Sequence, residues 1–370
     1  MTKYSYALAL ILFLIILSDG CRVDDMQDDG DLTSIAYAPS AYAITRPTGF
    51  PVPEIPDANK MTYEGIQLGR KLFYDPILSR DSSMSCATCH LPKGSFTDNF
   101  ATSKGVDGLN GTRSSMSIIN FAFDDHSLFW DGRASTLENQ ALQPVENPIE
   151  MHEIWPNVIQ KLINHPTYPS EFRKAFGISN KKEITKELAA KAIAQFERTL
   201  ISSNSAYDRK FISQTEEPTD EEVNGYFMYF DAETPGITVP PAHCGHCHNG
   251  PLLTTNQFFN NGLTEAPNLT EFPDLGRGAI TGNAVDNGKF KVPSLRNIAL
   301  TAPYMHDGRF TTLEQVIDHY NSGGHYAPNK DPFIKHLNLN QQNISDLLAF
   351  LKLFTDTTYV NNPDFQNPFK

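Results

Sequence analysis

Apolar and polar positions follow a helical period in four segments of the chain. Two of them, residues 62–75 and 220–231, place a glycine, then aromatic side chains, then an aspartate at matching positions. The other two, residues 187–201 and 344–354, are amphipathic. Strand signals are sparse, and the connecting segments are long and rich in glycine and proline. The pattern therefore predicts an all-α fold with long loops.

The four helical segments belong to two halves that repeat each other in order. The closest match is between residues 131–138, Asp-Gly-Arg-Ala-Ser-Thr-Leu-Glu, and residues 307–314, Asp-Gly-Arg-Phe-Thr-Thr-Leu-Glu. Several matching segments in the same order indicate an internal duplication. We therefore predict one domain over residues 49–212 and a second over residues 213–370.

Residues 1–20 have the pattern of a signal peptide. Lys3 precedes an apolar run over residues 7–17 that is too short to span a bilayer. Ser-Asp-Gly and Cys21 follow the run and resemble the lipidation site of bacterial lipoproteins, so we predict an exported, periplasmic protein with a lipid anchor on Cys21. Ordinary cleavage nearby, which would leave Cys21 as a free thiol, is the alternative. Residues 21–48 are acidic and rich in small side chains, which predicts a flexible tether.

Length and charge narrow the class of protein only slightly. The chain of 370 residues has 20% charged and 40% hydrophobic side chains, which is ordinary for a soluble globular protein and enough for two domains. The net charge of -13 argues against binding to nucleic acid and suits a cationic protein partner.

Four of the five cysteines lie in two Cys-x-x-Cys-His motifs, at residues 86–90 and 244–248. At this spacing the two thiols add across the two vinyl groups of one haem, and the adjacent histidine binds the iron. We therefore predict two covalently attached haem c groups. Their attachment residues are Cys86, Cys89 and His90 in the first motif and Cys244, Cys247 and His248 in the second.

Three other uses of paired cysteines fit less well. A zinc ribbon keeps its pairs within about 20 residues, whereas here the first pair ends at Cys89 and the second begins at Cys244. A thioredoxin-like redox site needs a surrounding βαβ pattern, and a disulfide across two residues is strained and stabilises little. None of the three requires a histidine directly after both pairs.

With these motifs the sequence resembles the bacterial di-haem cytochrome c peroxidases and their relative MauG, an enzyme of methylamine utilisation. The resemblance covers about residues 50–360 and includes Phe-Trp-Asp-Gly-Arg at 129–133, Val-Pro-Ser-Leu-Arg-Asn at 292–297 and Tyr-Met-His-Asp-Gly-Arg at 304–309. It implies two cytochrome-c-like domains and is compatible with a homodimer. The N-terminal haem would meet hydrogen peroxide, and the C-terminal haem would receive electrons from a small cytochrome c or a cupredoxin.

The resemblance assigns roles near the first haem to Glu150, Gln140 and Trp130. Glu150 would move a proton between the two oxygens of peroxide, and Gln140 would orient the peroxide. Trp130, which matches His306 in the second half, would relay electrons between the haems. Taken alone, these residue types are more often a surface charge, a neutral helix residue and a packing aromatic.

The loop after the first motif also distinguishes the chain. The peroxidases carry a histidine there that blocks the iron at rest, but residues 91–120 contain none. In this respect the chain resembles MauG. We expect an iron that is open to peroxide without prior reduction, with Pro144 beside it. His126, just beyond the loop, is the alternative ligand.

A side-chain ligand is expected to close the second haem. Tyr320 matches the tyrosine of MauG, at a position where the peroxidases use methionine and where the first half has Pro144. Met305 and His319 are the alternative ligands.

The family also binds a calcium ion between its domains. Thr301 and Pro303 match the residues whose carbonyl oxygens bind it. Ser114 stands at the position of the asparagine ligand, which is a departure from the family pattern.

Three functions follow from the resemblance and the motifs. The expected one is the reduction of hydrogen peroxide to water with electrons from a small cytochrome c or cupredoxin. The second is a MauG-like oxidation of a partner protein by peroxide. The third is a two-haem electron carrier, and the residues that match the peroxide site count against it.

Overall fold

The computed structural model describes residues 29–123 and 126–370. The predicted signal peptide, the lipidation site at Cys21 and the first residues of the predicted tether lie outside these ranges. Within them the chain is rich in helix, as the sequence predicts, and two short strands, β1 (Phe258–Phe259) and β2 (Phe290–Lys291), pair antiparallel. None of the helices in these ranges is long and apolar enough to cross a bilayer.

The helices vary widely in length. The α-helices are α1 (Tyr63–Tyr74), α2 (Cys86–Cys89), α3 (Leu137–Glu146), α4 (Trp155–Asn164), α5 (Tyr168–Phe176), α6 (Lys186–Glu197), α7 (Asp220–Phe230), α8 (Cys244–Cys247), α9 (Gly278–Thr281), α10 (Leu313–Asn321), α11 (Gln341–Lys352) and α12 (Thr357–Val360). Short 3-10 turns lie at Asp57–Asn59, Pro76–Leu78, Pro92–Gly94, Lys181–Glu183, Ala284–Asp286, Ile298–Leu300 and Pro363–Phe365, and a π-helical turn lies at Asp208–Ile212.

Two pairs of long helices cross at glycine. Helix α1 packs on α6, and a Cβ atom on Gly69 would lie 1.8 Å from the carbonyl oxygen of Ala192. Helix α7 packs on α11, and a Cβ atom on Gly225 would lie 2.4 Å from the carbonyl oxygen of Asp346. Because any side chain would collide with backbone there, glycine sets how closely each pair approaches. These four helices begin after polar caps, which are Thr62, Thr185, Thr219 and Asn340.

Each crossing pair has a hydrophobic core of its own. The first core gathers side chains from α1 and α3 to α6 around Phe73 and Phe196, whose ring centroids lie 5.3 Å apart. The second core gathers side chains from α7, α10 and α11 around Tyr229 and Phe350, also 5.3 Å apart. Burying one such side chain stabilises the fold by about 1.5–3 kcal/mol.

Polar contacts in the region between the two cores connect the two halves of the chain. Arg296 is fully buried and donates to both carboxylate oxygens of Asp208, at 2.8 and 2.9 Å. The side-chain amide of Asn297 donates to the hydroxyl of Ser95 in the first half, at 3.0 Å. Asn99 of the first half donates in turn to carbonyl oxygens of the second half.

Some segments differ from the sequence-based expectation. Residues 29–48 contain a packed stretch where a flexible tether was expected: Leu32 is buried and its N–H donates to the Ser179 carbonyl at 2.8 Å.

Tyr207, inside the predicted first domain, packs in the second core. Helix α6 ends at Glu197 and α11 at Lys352, so both are shorter at their C-terminal ends than the patterns predict. Local composition and periodicity carry no information about these long-range contacts.

Candidate functional site

Both Cys-x-x-Cys-His motifs form one-turn helices on the wall of a single cavity of about 780 Å³. The four thiols are unpaired. Burial raises the pKa of each, to about 11 for Cys89 and to about 12 for Cys244 and Cys247. The cysteines are therefore protonated at neutral pH, which does not fit a reactive thiolate of a redox site.

The two motif histidines have the same orientation. Nδ1 of His90 lies 2.8 Å from the carbonyl oxygen of Phe96, and Nδ1 of His248 lies 3.1 Å from that of Pro293. Each carbonyl fixes the proton on Nδ1 and leaves Nε2 available for a metal. Burial lowers the pKa of both rings, to about 4 for His248, so both are neutral and fit an iron ligand.

The cavity also collects the other residues that the sequence singles out. Gln140, Pro144 and Glu150 line it together with the first motif, and Tyr320 and Met305 line it together with the second. Trp130, Thr301 and Pro303 are on its wall as well. The structure therefore brings together residues that lie far apart in the chain, such as Cys86 of the first motif and Tyr320 of the second half, which are 234 positions apart.

Glu150 is held by the segment that follows α3. The side-chain amide of Asn147 donates to its Oε1 at 2.6 Å, and the N–H of Val106 donates to its carbonyl oxygen at 2.8 Å. Gly105 permits this approach, because a Cβ atom there would lie 2.2 Å from the carbonyl oxygen of Ile149. Burial raises the pKa of Glu150, although the Asn147 hydrogen bond and the charge of Arg133 oppose the shift. A carboxyl in this environment can both accept and release a proton.

Gln140 and Pro144 project from one face of α3, four residues apart. Pro144 lies inside the helix and has no N–H, so it cannot donate to the carbonyl oxygen of Gln140. The side-chain amide of Gln140 makes no hydrogen bond within the described part of the chain and faces the cavity. It is available to a polar molecule there.

His126, the alternative ligand of the first haem, lies at the surface. Its Nε2 is 3.0 Å from a carboxylate oxygen of Glu54, and both side chains are more than half exposed. Among the described residues of the cavity wall, His126 does not occur. Its position does not support ligation.

Trp130 lies on the wall of the shared cavity and contacts both halves of the chain. Its Nε1 donates to the carbonyl oxygen of Ser114 at 2.9 Å. Its ring meets the ring of His306 edge to face, with centroids 6.4 Å apart, and His306 stacks on Phe290 at 3.6 Å. Burial lowers the pKa of His306 to about 4, so this imidazole is neutral. Trp130 is therefore fixed in one orientation by its hydrogen bond and its aromatic neighbour.

Tyr320 and Met305 converge on one amide. The Nδ2 group of Asn261 lies 3.2 Å from the hydroxyl of Tyr320 and 3.5 Å from the sulfur of Met305. Burial raises the pKa of Tyr320 to about 12, whereas the hydrogen bond from Asn261 lowers it. His319 points elsewhere, since its Nε2 lies 3.0 Å from the Asn261 carbonyl oxygen. The placement keeps Tyr320 and Met305 as candidate ligands.

Thr301 and Pro303, the predicted calcium ligands, are surrounded by hydrogen bonds to their neighbours. The hydroxyl of Ser114 donates to the carbonyl oxygen of Met305 at 3.0 Å. The amide of Asn99 donates to the carbonyl oxygens on both sides of Thr301, at 2.8 Å each. A calcium ion needs oxygen ligands, and its binding through the carbonyl oxygens of Thr301 and Pro303 stays a prediction.

Comparison with known proteins agrees with this geometry. A family model described as di-haem cytochrome c peroxidase matches residues 63–216. Cytochrome c551 peroxidase of Nitrosomonas europaea is 35% identical over 305 residues, which are 82% of each chain. This chain belongs to the di-haem cytochrome c peroxidase and MauG family. Membership places it among the peroxidase-type oxidoreductases and implies haem cofactors.

Other members of the di-haem peroxidase and MauG family are similar over most of their length. Methylamine utilization protein MauG of Methylorubrum extorquens is 34% identical over 309 residues, 83% of this chain and 82% of MauG. The crystal structure of a MauG-like protein associated with microbial copper homeostasis has a TM-score of 0.80 and 34% identity, and covers 89% of this chain and 100% of that chain.

The sequence patterns do not indicate three residues that line this cavity or contact its side chains. Asn147 and Asn261 orient Glu150 and Tyr320, and Glu197 lines the cavity near the first motif. Asn147 lies three positions before Glu150, and this short spacing could have predicted that the two side chains are in contact. Asn261 is 59 positions from Tyr320, and no local pattern connects them.

Proposed function

We propose that this di-haem family member holds two covalently attached haem c groups and reduces hydrogen peroxide to water at the first. A small cytochrome c or a cupredoxin would deliver the electrons through the second. The observation that carries the proposal is the shared cavity, which both attachment motifs line together with Glu150, Gln140 and Trp130. The relatives named cytochrome c peroxidase support the reaction.

Each haem, when bound, supplies an iron that exchanges electrons. Cys86 and Cys89 would attach the first haem, and His90 would bind its iron through Nε2. Cys244, Cys247 and His248 would do the same for the second. The carbonyl groups that hold Nδ1 of each histidine keep the rings in place.

Glu150 and Gln140 handle the peroxide. The Glu150 carboxylate takes a proton from the near oxygen of peroxide and passes it to the far oxygen, which then leaves as water. The Gln140 amide orients the peroxide through a hydrogen bond. Two electrons and two further protons complete the conversion of one peroxide into two waters.

Trp130 and Tyr320 serve electron transfer. Trp130 lines the cavity that both motifs share and is fixed against His306, so it could carry electrons from one haem to the other. Tyr320 would close the second iron, with Asn261 holding its hydroxyl. A filled coordination shell suits an iron that only transfers electrons.

The two halves arose by internal duplication, in our proposal. Gly69 and Gly225, at matching positions of the repeat, both sit at a helix crossing. Trp130 and His306, which also match, contact each other, as equivalent residues do beside a pseudo-two-fold axis. The predicted export and the lipid anchor on Cys21 complete the proposal, because haem c attachment takes place outside the cytoplasm.

Steady-state turnover on protein that has never been reduced tests the function. Holoprotein with two haems per chain is mixed with hydrogen peroxide and a reduced small cytochrome c or cupredoxin. Rapid oxidation of the donor, with two electrons consumed per peroxide, is the expected result. Peroxide consumption that does not depend on any donor would count against it.

A MauG-like oxidation of a partner protein is the second candidate. Tyr320 at the cavity and the absence of histidine from residues 91–120 favour it, because MauG shares both features. It predicts a long-lived spectral change after peroxide is added, without turnover of the small donors. The same experiment therefore separates the two functions.

A further inference from the structure

A second buried carboxyl faces the first haem motif. Glu197, the last residue of α6, is only 3% exposed and lines the cavity. Ile193 lies four residues earlier on α6 and lines the same wall, so this face of the helix points into the cavity. The family resemblance assigns no role to Glu197.

One oxygen of the Glu197 carboxyl lacks the partner that a buried carboxyl normally has. Its Oε2 is fully buried and makes no hydrogen bond within the described residues. The neighbouring guanidinium of Arg198 is engaged with both oxygens of Glu138, at 2.7 and 3.1 Å. A buried carboxylate without a counter-charge costs several kcal/mol, so the group is held as a neutral acid.

The acid form of Glu197 prevails at physiological pH. Burial raises its pKa to about 8, and Arg198 lowers it while Glu138 raises it. Of the helices that pack on α6, α3 contributes the charged group Glu138, and the charged Lys71 of α1 and Glu171 of α5 pair with each other. Below pH 8 the carboxyl therefore carries a proton.

Glu197 and Glu150 both line the cavity and both act on the first attachment motif. After burial, the charge of Glu197 is the largest influence that raises the pKa of the Cys86 thiol, and Glu150 acts on the same thiol more weakly. Both carboxyls are thus within electrostatic range of one point on the cavity wall. The shared cavity gives a proton a path between them.

We propose that Glu197 is the internal proton donor that supplies the peroxide site. The inference rests on the proposed function. The O–H bond of the Glu197 carboxyl breaks, and its proton passes through cavity water to the second peroxide oxygen, the one that remains after the first water has left. Glu197 remains as a carboxylate until solvent reprotonates it. The two electrons come from the donor through the second haem, so each turnover balances with two protons taken up.

The test compares Glu197→Gln with Glu187→Gln, an exposed carboxyl on the same helix, in holoprotein. The E197Q variant keeps the shape but cannot release a proton. We expect kcat for peroxide reduction to fall about tenfold or more, with KM for peroxide unchanged, and E187Q to match the wild type. Infrared spectra should contain a carboxylic C=O band that weakens above pH 8 and is absent from E197Q.

Each other outcome has a distinct meaning. If the wild type does not turn over peroxide, the proposed function fails and the proton role with it. If the wild type turns over and E197Q has unchanged kcat, or retains the infrared band, the proton role alone is overturned. If E197Q does not take up both haems, Glu197→Asp replaces it. For this aspartate variant we expect the carboxylic C=O band to remain and kcat to stay within about tenfold of the wild type. A variant that keeps the band but loses turnover would contradict the proposal.

Discussion

The two motif-bearing parts of the cavity carry the same Cys-x-x-Cys-His sequence but present different side chains to the cavity. Near the first motif the wall carries two carboxyls, the half-buried Glu150 and the buried Glu197, and the unengaged amide of Gln140. Near the second, the phenol of Tyr320 and the thioether of Met305 meet on Asn261. The first part is equipped to move protons and the second to fill a coordination shell.

The difference arises at positions that correspond in the repeat. Pro144 and Tyr320 match, and both project from a helix, α3 or α10, that follows the paired Asp-Gly-Arg segments. Proline has no side-chain atom that can bind iron, whereas tyrosine has its hydroxyl. In the proposed function, this one difference at an equivalent place would distinguish an open site from a closed one, although both positions lie on corresponding helices.

The largest expected effect concerns the proton chemistry of the first part. Glu150→Gln removes a carboxyl that takes up and releases a proton, so we expect kcat for peroxide reduction to fall by about 10²–10⁴. Both haems should stay attached with unchanged absorption. Stopped-flow mixing with peroxide measures the rate. Glu146→Gln, an exposed carboxyl at the end of α3, is the control and should be neutral. Equal losses in both variants would show that the effect is not specific to Glu150.

The second prediction concerns the ion pair between Asp208 and Arg296. Burial raises the pKa of Asp208, but the hydrogen bonds and charge of Arg296 outweigh it and the net shift is downward. Asp208→Asn leaves Arg296 buried without a counter-charge, so the free energy of unfolding should drop by about 3–5 kcal/mol at pH 7. The pair stabilises the fold above the unfolded pKa of about 4, and this contribution disappears as pH falls through the lower folded pKa.

Denaturant unfolding of holoprotein at pH 7 and pH 3 measures this effect. The gap between wild type and D208N should narrow at pH 3, because Asp208 then gains a proton in the unfolded state while its folded pKa is lower. An unchanged gap would mean that the carboxylate charge does not matter. Glu138→Gln breaks the ion pair with Arg198 in the first half of the chain. Its free energy of unfolding at the two pH values shows whether that ion pair has the same pH dependence.

Much of this architecture follows from sequence patterns. The Cys-x-x-Cys-His spacing identifies the attachment residues, and helical periodicity locates α1, α6, α7 and α11 to within a few residues. The partners of the site residues do not follow, because Asn261 reaches Tyr320, and Glu197 reaches the first motif, only through the tertiary fold. The same holds for Leu32, whose burial depends on a contact with Ser179 far along the chain.

A third prediction compares the two helix crossings. Gly69→Ala and Gly225→Ala place a Cβ atom 1.8 Å and 2.4 Å from a backbone carbonyl oxygen. Overpacking of this kind costs about 1–3 kcal/mol, and we expect Gly69→Ala to be the more destabilising because its clash is closer. Thermal unfolding of holoprotein gives the order. In Gly111→Ala the new Cβ atom would be 3.6 Å from its nearest neighbour, so this control should be neutral.

The smallest effect on the rate is expected when the predicted ligand of the second haem is replaced. Absorption and EPR spectra, rather than turnover, detect this change. Tyr320→Phe removes the hydroxyl that Asn261 contacts, so the absorption and EPR signals of the second haem should change while those of the first stay the same. Met305→Leu is the matched variant, because its sulfur contacts the same amide. If Met305→Leu alone alters the second haem, methionine is the ligand and the contrast with Pro144 no longer accounts for the closed site. Turnover should change by less than about tenfold in Tyr320→Phe, because the proton-moving residues of the first part are untouched.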